Sequence, residues 1–425
     1  MVGVRTSFTQ QRKFKSTILV IVCSLLAFPG VAGARILPEG KTHSSSSLRS
    51  MARIYMAYGG YAKAQPLLQK ALQLAEKTNA PDTEVCACVI DLAYLYKEQG
   101  NLTDAETMGR LGLELQQKVY QKDHPYVAYT LRILSEIYRG QGRYQEASGA
   151  LERALDIMRR VSRGSEQEIA PFKVDMAHLL VVRGDYAQAE THFTEAMVTI
   201  EAAYGPKHLY TAKVRTGLAK LYVLEGRTAE AESLVSKALP IQEKIYGPDH
   251  HLLVPVWLVT AKISQAKGDV VNAKKILEKS LRTVEDQADC AHLVAGDVLI
   301  QLAQVHTRCR KYKKAEDLLQ RALNILDDQQ GADSDRTALA LNSLARVYIE
   351  RGKYSKAQSL CRKSLDIFES LFGEDHPGVA DVLATLVQLH QKTGNTTEVA
   401  RLQRRMDEIR ERRHVAYLPT ENTIK

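Results

Sequence analysis

The sequence predicts an all-α solenoid of about nine antiparallel helix pairs, and three observations carry that expectation. The 425-residue chain repeats its own skeleton every 42 residues, and a fixed period of roughly 20 to 50 residues is the mark of a stacked array. A small residue recurs on the first helix of each unit, as Ala177, Ala219, Ala261, Ala303 and Ala345. A turn glycine recurs as Gly142, Gly184, Gly226, Gly268 and Gly352, skipping once at Arg310, and five residues after that position stands an alanine: Ala147, Ala189, Ala231, Ala273, Ala315 and Ala357. Leu341 to Pro377, LNSLARVYIERGKYSKAQSLCRKSLDIFESLFGEDHP, shows the unit whole. It reads as two amphipathic helices, A and B, around one turn.

Each spacing has a physical cause. The small residues of helices A and B fall where the two helices cross, and a larger side chain there would hold them apart at a cost of ~1–3 kcal/mol. The glycine ends helix A, because the left-handed conformation is cheap only without a Cβ. The tyrosine two residues later (Tyr61, Tyr144, Tyr186, Tyr312, Tyr354) buries its ring and leaves its hydroxyl at the rim. No pair buries its apolar face alone, so neighbours must stack.

In chain order, residues 1–34 read as a secretory signal peptide. Arg5, Arg12, Lys13 and Lys15 form a basic region, STILVIVCSLLAFPGVA supplies an apolar run from Ser16 to Ala32, and Ala32-Gly33-Ala34 precedes a break at Arg35. The alternative is an uncleaved anchor, but the run is shorter than the roughly 20 residues that span a bilayer and contains Pro29. No stable membrane span is expected once the signal is cleaved. Export points to the periplasm or the extracellular space. Residues 35–46 are expected to be a polar leader, 47–412 the solenoid, with its last pair a terminal cap, and 413–425 a flexible tail.

The longer connectors recur too: QKDHPYVA at 121–128, YGPKHLYTA at 204–212, YGPDHHLLV at 246–254 and FGEDHPGVA at 371–379. Pro125 and Pro377 suit the first turn of a helix, and Asp123 or Asp375 is expected to help cap it. The acidic stretch around Asp327, Asp328, Asp333 and Asp335 reads as a flexible linker.

Composition is that of a soluble helical protein, 45% hydrophobic and 25% charged. The 58 basic residues exceed the 49 acidic ones, and loss of the four in the signal peptide leaves 54. That mild excess does not argue for nucleic acid. Beyond Cys23 in the signal, Cys86, Cys88, Cys290, Cys309 and Cys361 are an odd set for an exported chain. They are expected to be buried free thiols acting as small hydrophobes.

Small residue, turn glycine and paired alanines fall at the spacing of the tetratricopeptide repeat, and Trp257 sits at that family's tryptophan position, four before Ala261. With the connectors ending in DHP or PKH, the chain resembles the longer-repeat subfamily typified by kinesin light chain, across residues 47–410. The resemblance implies a right-handed superhelix whose A helices line a concave groove. It also implies binding of peptides or partner proteins there, with no catalysis. The kinesin-type groove asparagine, three before the small residue, is matched only by Asn342. That clamp is therefore not expected.

Helix A's inward positions are read here as those six and three before the small residue and one, four and five after it. They hold eleven basic residues against five acidic ones. The candidate partner-binding residues are Arg132, Arg139, Lys213, Lys220, Lys262, Arg308, Asn342 and Arg346. A concave face of one sign steers partners of the other, so an acidic peptide segment or another polyanion is the expected ligand. Val174, Val181, Val182, Val223 and Leu224 add either an apolar groove patch or ordinary packing. No HExxH, GxSxG, phosphate-loop or CxxC motif appears. Neither a catalytic site, a metal nor a cofactor is expected, and His250-His251 reads as structural. Asn101 and Asn395 head glycosylation sequons. Two function classes result: an exported protein-interaction scaffold, or an accessory that recruits an enzyme or an envelope polyanion such as cell-wall glycan. Oligomeric state is not legible.

Overall fold

A computed structural model describes residues 44–120, 123–162, 165–286, 292–330 and 333–415. The proposed signal peptide, Cys23 and Cys290 lie outside them. Among the described residues the chain forms helices only, paired in nine units. Unit one joins α1 (Ser45–Ala57) to α2 (Tyr61–Lys77), unit two α3 (Asp82–Glu98) to α4 (Leu102–Val119), and unit three α5 (Pro125–Gly140) to α6 (Tyr144–Val161). Unit four joins α7 (Glu166–Arg183) to α8 (Tyr186–Tyr204), and unit five α9 (Leu209–Leu224) to α10 (Thr228–Tyr246). A short 3₁₀ turn, His251–Leu253, leads into unit six, α11 (Val254–Ala266) and α12 (Val270–Glu285). Units seven to nine pair α13 (His292–Arg308) with α14 (Tyr312–Gln330), α15 (Asp335–Glu350) with α16 (Tyr354–Phe372), and α17 (Pro377–Thr393) with α18 (Thr396–Val415).

The boundaries shift slightly from expectation. The first helix starts at Ser45, not 47, because the Ser44 hydroxyl caps it by accepting from the Ser47 N–H at 3.2 Å. The last runs to Val415, past 412, with Leu402, Met406 and Ile409 buried at helical spacing and arginines on the wet side.

The helix-crossing residues behave as the period demands. Ala177, Ala189, Ala219, Ala231, Ala261 and Ala273 are all 0% exposed. In unit three the small residue is Ser135, whose hydroxyl donates to the Ala147 carbonyl at 2.8 Å. All nine A–B turns carry positive φ, and Arg310 adopts it without a glycine, at 57°. Lys311 N–H closes that turn on the His306 carbonyl at 2.8 Å, as the glycine turns do. The buried apolar residues form several clusters along the array that meet at shared, partly buried side chains such as Leu281 and Leu323, and within them Phe172, Phe193 and Phe368 are fully buried. Each contributes up to ~3 kcal/mol of apolar burial.

Several expectations are corrected. The connector caps are histidines, not Asp123 or Asp375, which pair instead with Arg160 and Arg412. His124, His208, His250 and His376 each accept, through Nδ1, the backbone N–H two residues on, at 3.0–3.2 Å. Each ring also stacks on the aromatic residue four earlier: Tyr120, Tyr204, Tyr246 and Phe372, with centroids 4.2–5.3 Å apart. The imidazole sits at the N-cap because the residue after it already takes the first helical turn. Cys86, Cys88 and Cys361 are buried free thiols, but Cys309 is exposed, past the end of α13. Asn101 and Asn395 are N-caps, accepting from Asp104 and Glu398 N–H at 3.3 Å.

The coil also meets itself. Residues 191 to 194 apart touch, about four and a half repeats of the 42-residue period. The A–B turn of an early unit lies against the connector four to five units later. His250 Nε2 is 3.1 Å from the Tyr58 carbonyl, and His251 covers Gly59 and meets the Tyr61 ring edge-on at 6.2 Å. Ser334 stands against Gly142, while Tyr144 donates to Asp335 at 2.5 Å and packs on Phe372 at 4.9 Å. His376 Nε2 reaches the Val182 carbonyl at 2.9 Å. The Ser334–Asp335 end of the acidic stretch is thus part of a seam, not a free linker. It is pinned because both residues have partners in the earlier turn.

Two outcomes follow. Ala189→Leu overfills a fully buried crossing and lowers unfolding free energy by ~1–3 kcal/mol in denaturant melts, whereas Ser233→Leu, exposed on α10, changes it by less than about half that. Gly59→Ala and Gly226→Ala carry the same left-handed strain, but a Cβ at Gly59 would lie 2.1 Å from His251 and one at Gly226 meets nothing. Small-angle scattering should therefore show expansion for Gly59→Ala only; equal radii would remove the seam.

Candidate functional site

The A helices turn one face toward the superhelix axis, and the residue after each small position runs along it. Successive units place Arg53, Tyr94, Glu136, His178, Lys220 and Lys262 there. Because the coil closes on itself, side chains from the first turn face those from the second. The lining is polar and charged, and its chemistry changes along its length.

At the first end the cations are satisfied. Arg49 Nε bonds Asp91 Oδ2 at 2.9 Å, and Arg53 grips the same carboxylate through Nη2 at 2.8 Å. Lys97 bridges Glu98, at 2.7 Å, and Glu136. Arg132 bonds Asp175 at 3.0 Å. Burial opposes the charge on Glu136, yet Lys97 and Arg132 hold its carboxyl down to about 2. Burial and the neighbouring Glu136 push Asp175 up to about 6, even with Arg132 beside it.

The middle is different. Arg139, Lys220 and Lys262 have no ion pair or side-chain hydrogen bond among the described residues. The nearby Asp297 is taken by Arg336 at 3.0 Å. Burial pulls the Lys220 ammonium down. Asp297 partly offsets this, and Arg336, Arg139 and Lys262 add repulsion. Lys262 is lowered by burial against the pull of Asp381 and Asp297. Burial also drives His178 down to about 3, with Arg139 and Lys220 adding to the effect, so its ring is neutral. Lys220 is nonetheless solvent-accessible and Lys262 half-buried. Lys220 and Lys262 thus keep contact with solvent while being surrounded by protein, an environment in which like charge concentrates its field.

The sequence-derived residues therefore separate. Arg139, Lys220 and Lys262 come together at the axis. Arg132 lies on the same surface but is bound to Asp175, over the Tyr129 and Phe172 rings. Lys213 is exposed and sits over the Tyr246 ring at 5.8 Å, near a B-helix end. Arg308 is exposed and donates to the Gln265 carbonyl at 2.9 Å, covering the end of α11. Arg346 is committed to Thr385 at 2.9 Å. Asn342 is buried at 4% exposure, with its Oδ1 unpartnered. Of the apolar set, Val174 and Val181 are packed, Val182 presents its carbonyl to His376, and Leu224 is 40% exposed.

Sequence reasoning missed Asp91 and Asp175. Both stand two residues before the small position, a register left off the inward face. The signal was present: each follows, by 42 and 43 residues, a basic residue three before the small position of the preceding unit, Arg49 and Arg132. Among the described residues no three His, Cys, Asp or Glu side chains converge to hold a metal. None of the described helices is long and apolar enough to cross a membrane.

Residues 36–239 match the MalT-like TPR region, and residues 294–370 and 336–411 match the tetratricopeptide repeat family. No curated protein matches the chain significantly. Among solved structures, a Rap protein complexed with competence and sporulation factor is 15% identical, covering 78% of this chain and 99% of that one at a TM-score of 0.57. NprR in complex with its cognate peptide NprX is 14% identical, covering 74% and 87% at 0.55. A putative kinesin light chain from Podosopora anserina, with nearly identical TPR-like repeats, is 20% identical over 48% of this chain and 97% of its own. Its TM-score of 0.36 is too low to bear on the shape of the coil. Repeat spacing, nine helix pairs and the two profile matches agree, and the chain belongs to the tetratricopeptide repeat family.

Proposed function

We infer that the protein is a scaffold, without catalysis of its own, that holds an acidic extended segment of a partner protein or peptide in its axial channel. The observation that carries this reading is the trio Arg139, Lys220 and Lys262, left without ion-pair partners among the described residues while Arg49, Arg53, Lys97 and Arg132 on the same face are paired with carboxylates. Unpaired cations in a confined channel favour an anion entering from outside. The channel is bounded by A helices throughout, so an extended chain can contact several units in turn. The two solved structures of like shape are described in complex with competence and sporulation factor and with a cognate peptide, NprX, respectively. Their identity of 15% and 14% makes them support for the shape of such a site, not for this chain's ligand.

The partner is met after export. The basic region, apolar run and Ala32-Gly33-Ala34 step support secretion with cleavage before Arg35. N-terminal sequencing of the protein recovered from outside the producing cell's inner membrane should begin at Arg35. Retention of Met1 on a membrane-bound chain would support an uncleaved anchor instead.

Arg139→Glu, Lys220→Glu and Lys262→Glu together should weaken capture of acidic partners at least ~10-fold, measured by pull-down from the exported fraction and titration of the captured protein. Unchanged affinity would sink the acidic-segment reading. A polyanionic glycan would share the dependence on these three cations. It would be retained through charge alone and released by moderate salt, whereas a packed protein segment would persist.

A further inference from the structure

The seam between successive turns contains histidines whose hydrogen bonds define their protonation state. At His250, Nδ1 accepts the Leu252 N–H at 3.2 Å, so it carries no hydrogen. Nε2 lies 3.1 Å from the Tyr58 carbonyl, an acceptor, so it must carry one. His376 repeats the arrangement, with Nδ1 accepting from Gly378 N–H at 3.0 Å and Nε2 donating to the Val182 carbonyl at 2.9 Å. Both rings are held as the neutral Nε2–H tautomer. A second proton could enter only at Nδ1, where it would face a backbone N–H. The connector would lose its cap, and the ring that bridges the two turns would be pushed out of register.

Neighbouring groups reinforce this at the first contact. His251 is 8% exposed, stacks on His250 at 4.4 Å, and has no hydrogen-bond partner at either nitrogen. Its ring fills the space over Gly59. The groups facing this pair are Tyr246, stacked on His250, Tyr61, and Glu98, the one acidic group acting on His251. A charge on either imidazole repels the other. At the second contact Phe368 and Phe372 sandwich His376 with apolar rings, at 5.5 and 4.3 Å.

We propose that the seam is an acid-sensitive latch: protonation of His250 and His376 uncaps their connectors, parts the two turns and opens the axial channel along its side. The helix pairs themselves stay folded, because their crossings are apolar. The sign follows from burial, which lowers His250 and brings His251 down to about 4. A parted seam returns these rings toward their ordinary value near 6.5. The open coil therefore binds more protons between those limits. Closure is complete above about pH 6.5 and is lost progressively as the pH falls below it, by up to about tenfold per pH unit for each histidine that takes up its proton only in the open coil. As a control on binding, this opening rests on the reading that the channel is the partner site; the latch itself does not.

The test uses the full ligand-free chain, so it stands apart from any failure to find a partner. Small-angle scattering and far-ultraviolet circular dichroism are recorded from pH 7.5 to 5. The wild type should expand on acidification with its helical signal retained. The double variant His250→Gln, His376→Gln should show the same radius at both pH values, whether shut or open. His124 and His208 cap connectors identically but make no contact with another turn among the described residues. The variant His124→Gln, His208→Gln should therefore expand like the wild type. A wild-type radius unchanged across this range overturns the proposal. So does acid expansion that persists in the His250, His376 variant.

Discussion

Everything in this molecule depends on how closely helices A and B cross. Alanine or serine at both sides of the crossing in units one to eight lets the backbones approach, and that closeness sets the rotation from one unit to the next. The rotation in turn decides how many units complete a turn. About four and a half repeats suffice, so nine units supply roughly two turns. Two turns are enough for the coil to touch itself and to enclose its own axis. A larger side chain at the crossings would splay each pair and open the pitch. The seam and the channel are consequences of the smallest residues in the sequence.

Most of the architecture could be read from those residues. Ala345 and Ala357 recur because each is fully buried where two helices cross, and Gly352 because its turn takes a positive φ, and both constraints are local. Arg310 shows its limit: the turn there is held by its bonds and its packing strongly enough to carry a side chain at φ 57°. The histidine caps were also visible as a recurring letter. Their role was misassigned to Asp123 and Asp375 because carboxylates are the commoner caps. The stacked aromatic residue four earlier was the distinguishing clue.

The channel was only half legible, for a different reason. Charge on one helix face can be counted from sequence, but pairing depends on the neighbouring helix. Asp91 and Asp175 answer Arg49, Arg53 and Arg132 from the next unit, one position outside the face that was counted. Lys213 and Arg308 lie on the counted face yet swing to the rim, onto Tyr246 and Gln265. What survives both subtractions is a short cationic stretch near mid-channel. Contacts between residues 191 to 194 apart had no signal at all in a 42-residue period, because they arise from closure of the whole coil.

A simple solenoid has only nearest-neighbour contacts, so its ends can fray and its length can grow or shrink one unit at a time. The Tyr144–Asp335 and His376–Val182 contacts remove that freedom here. Units three and four are tied to the connectors that open units eight and nine. Deleting or duplicating a single unit between them would displace every contact on the second turn by one place. The repeat count between the two halves is therefore a structural constant of this coil, as strictly set as the spacing inside each unit.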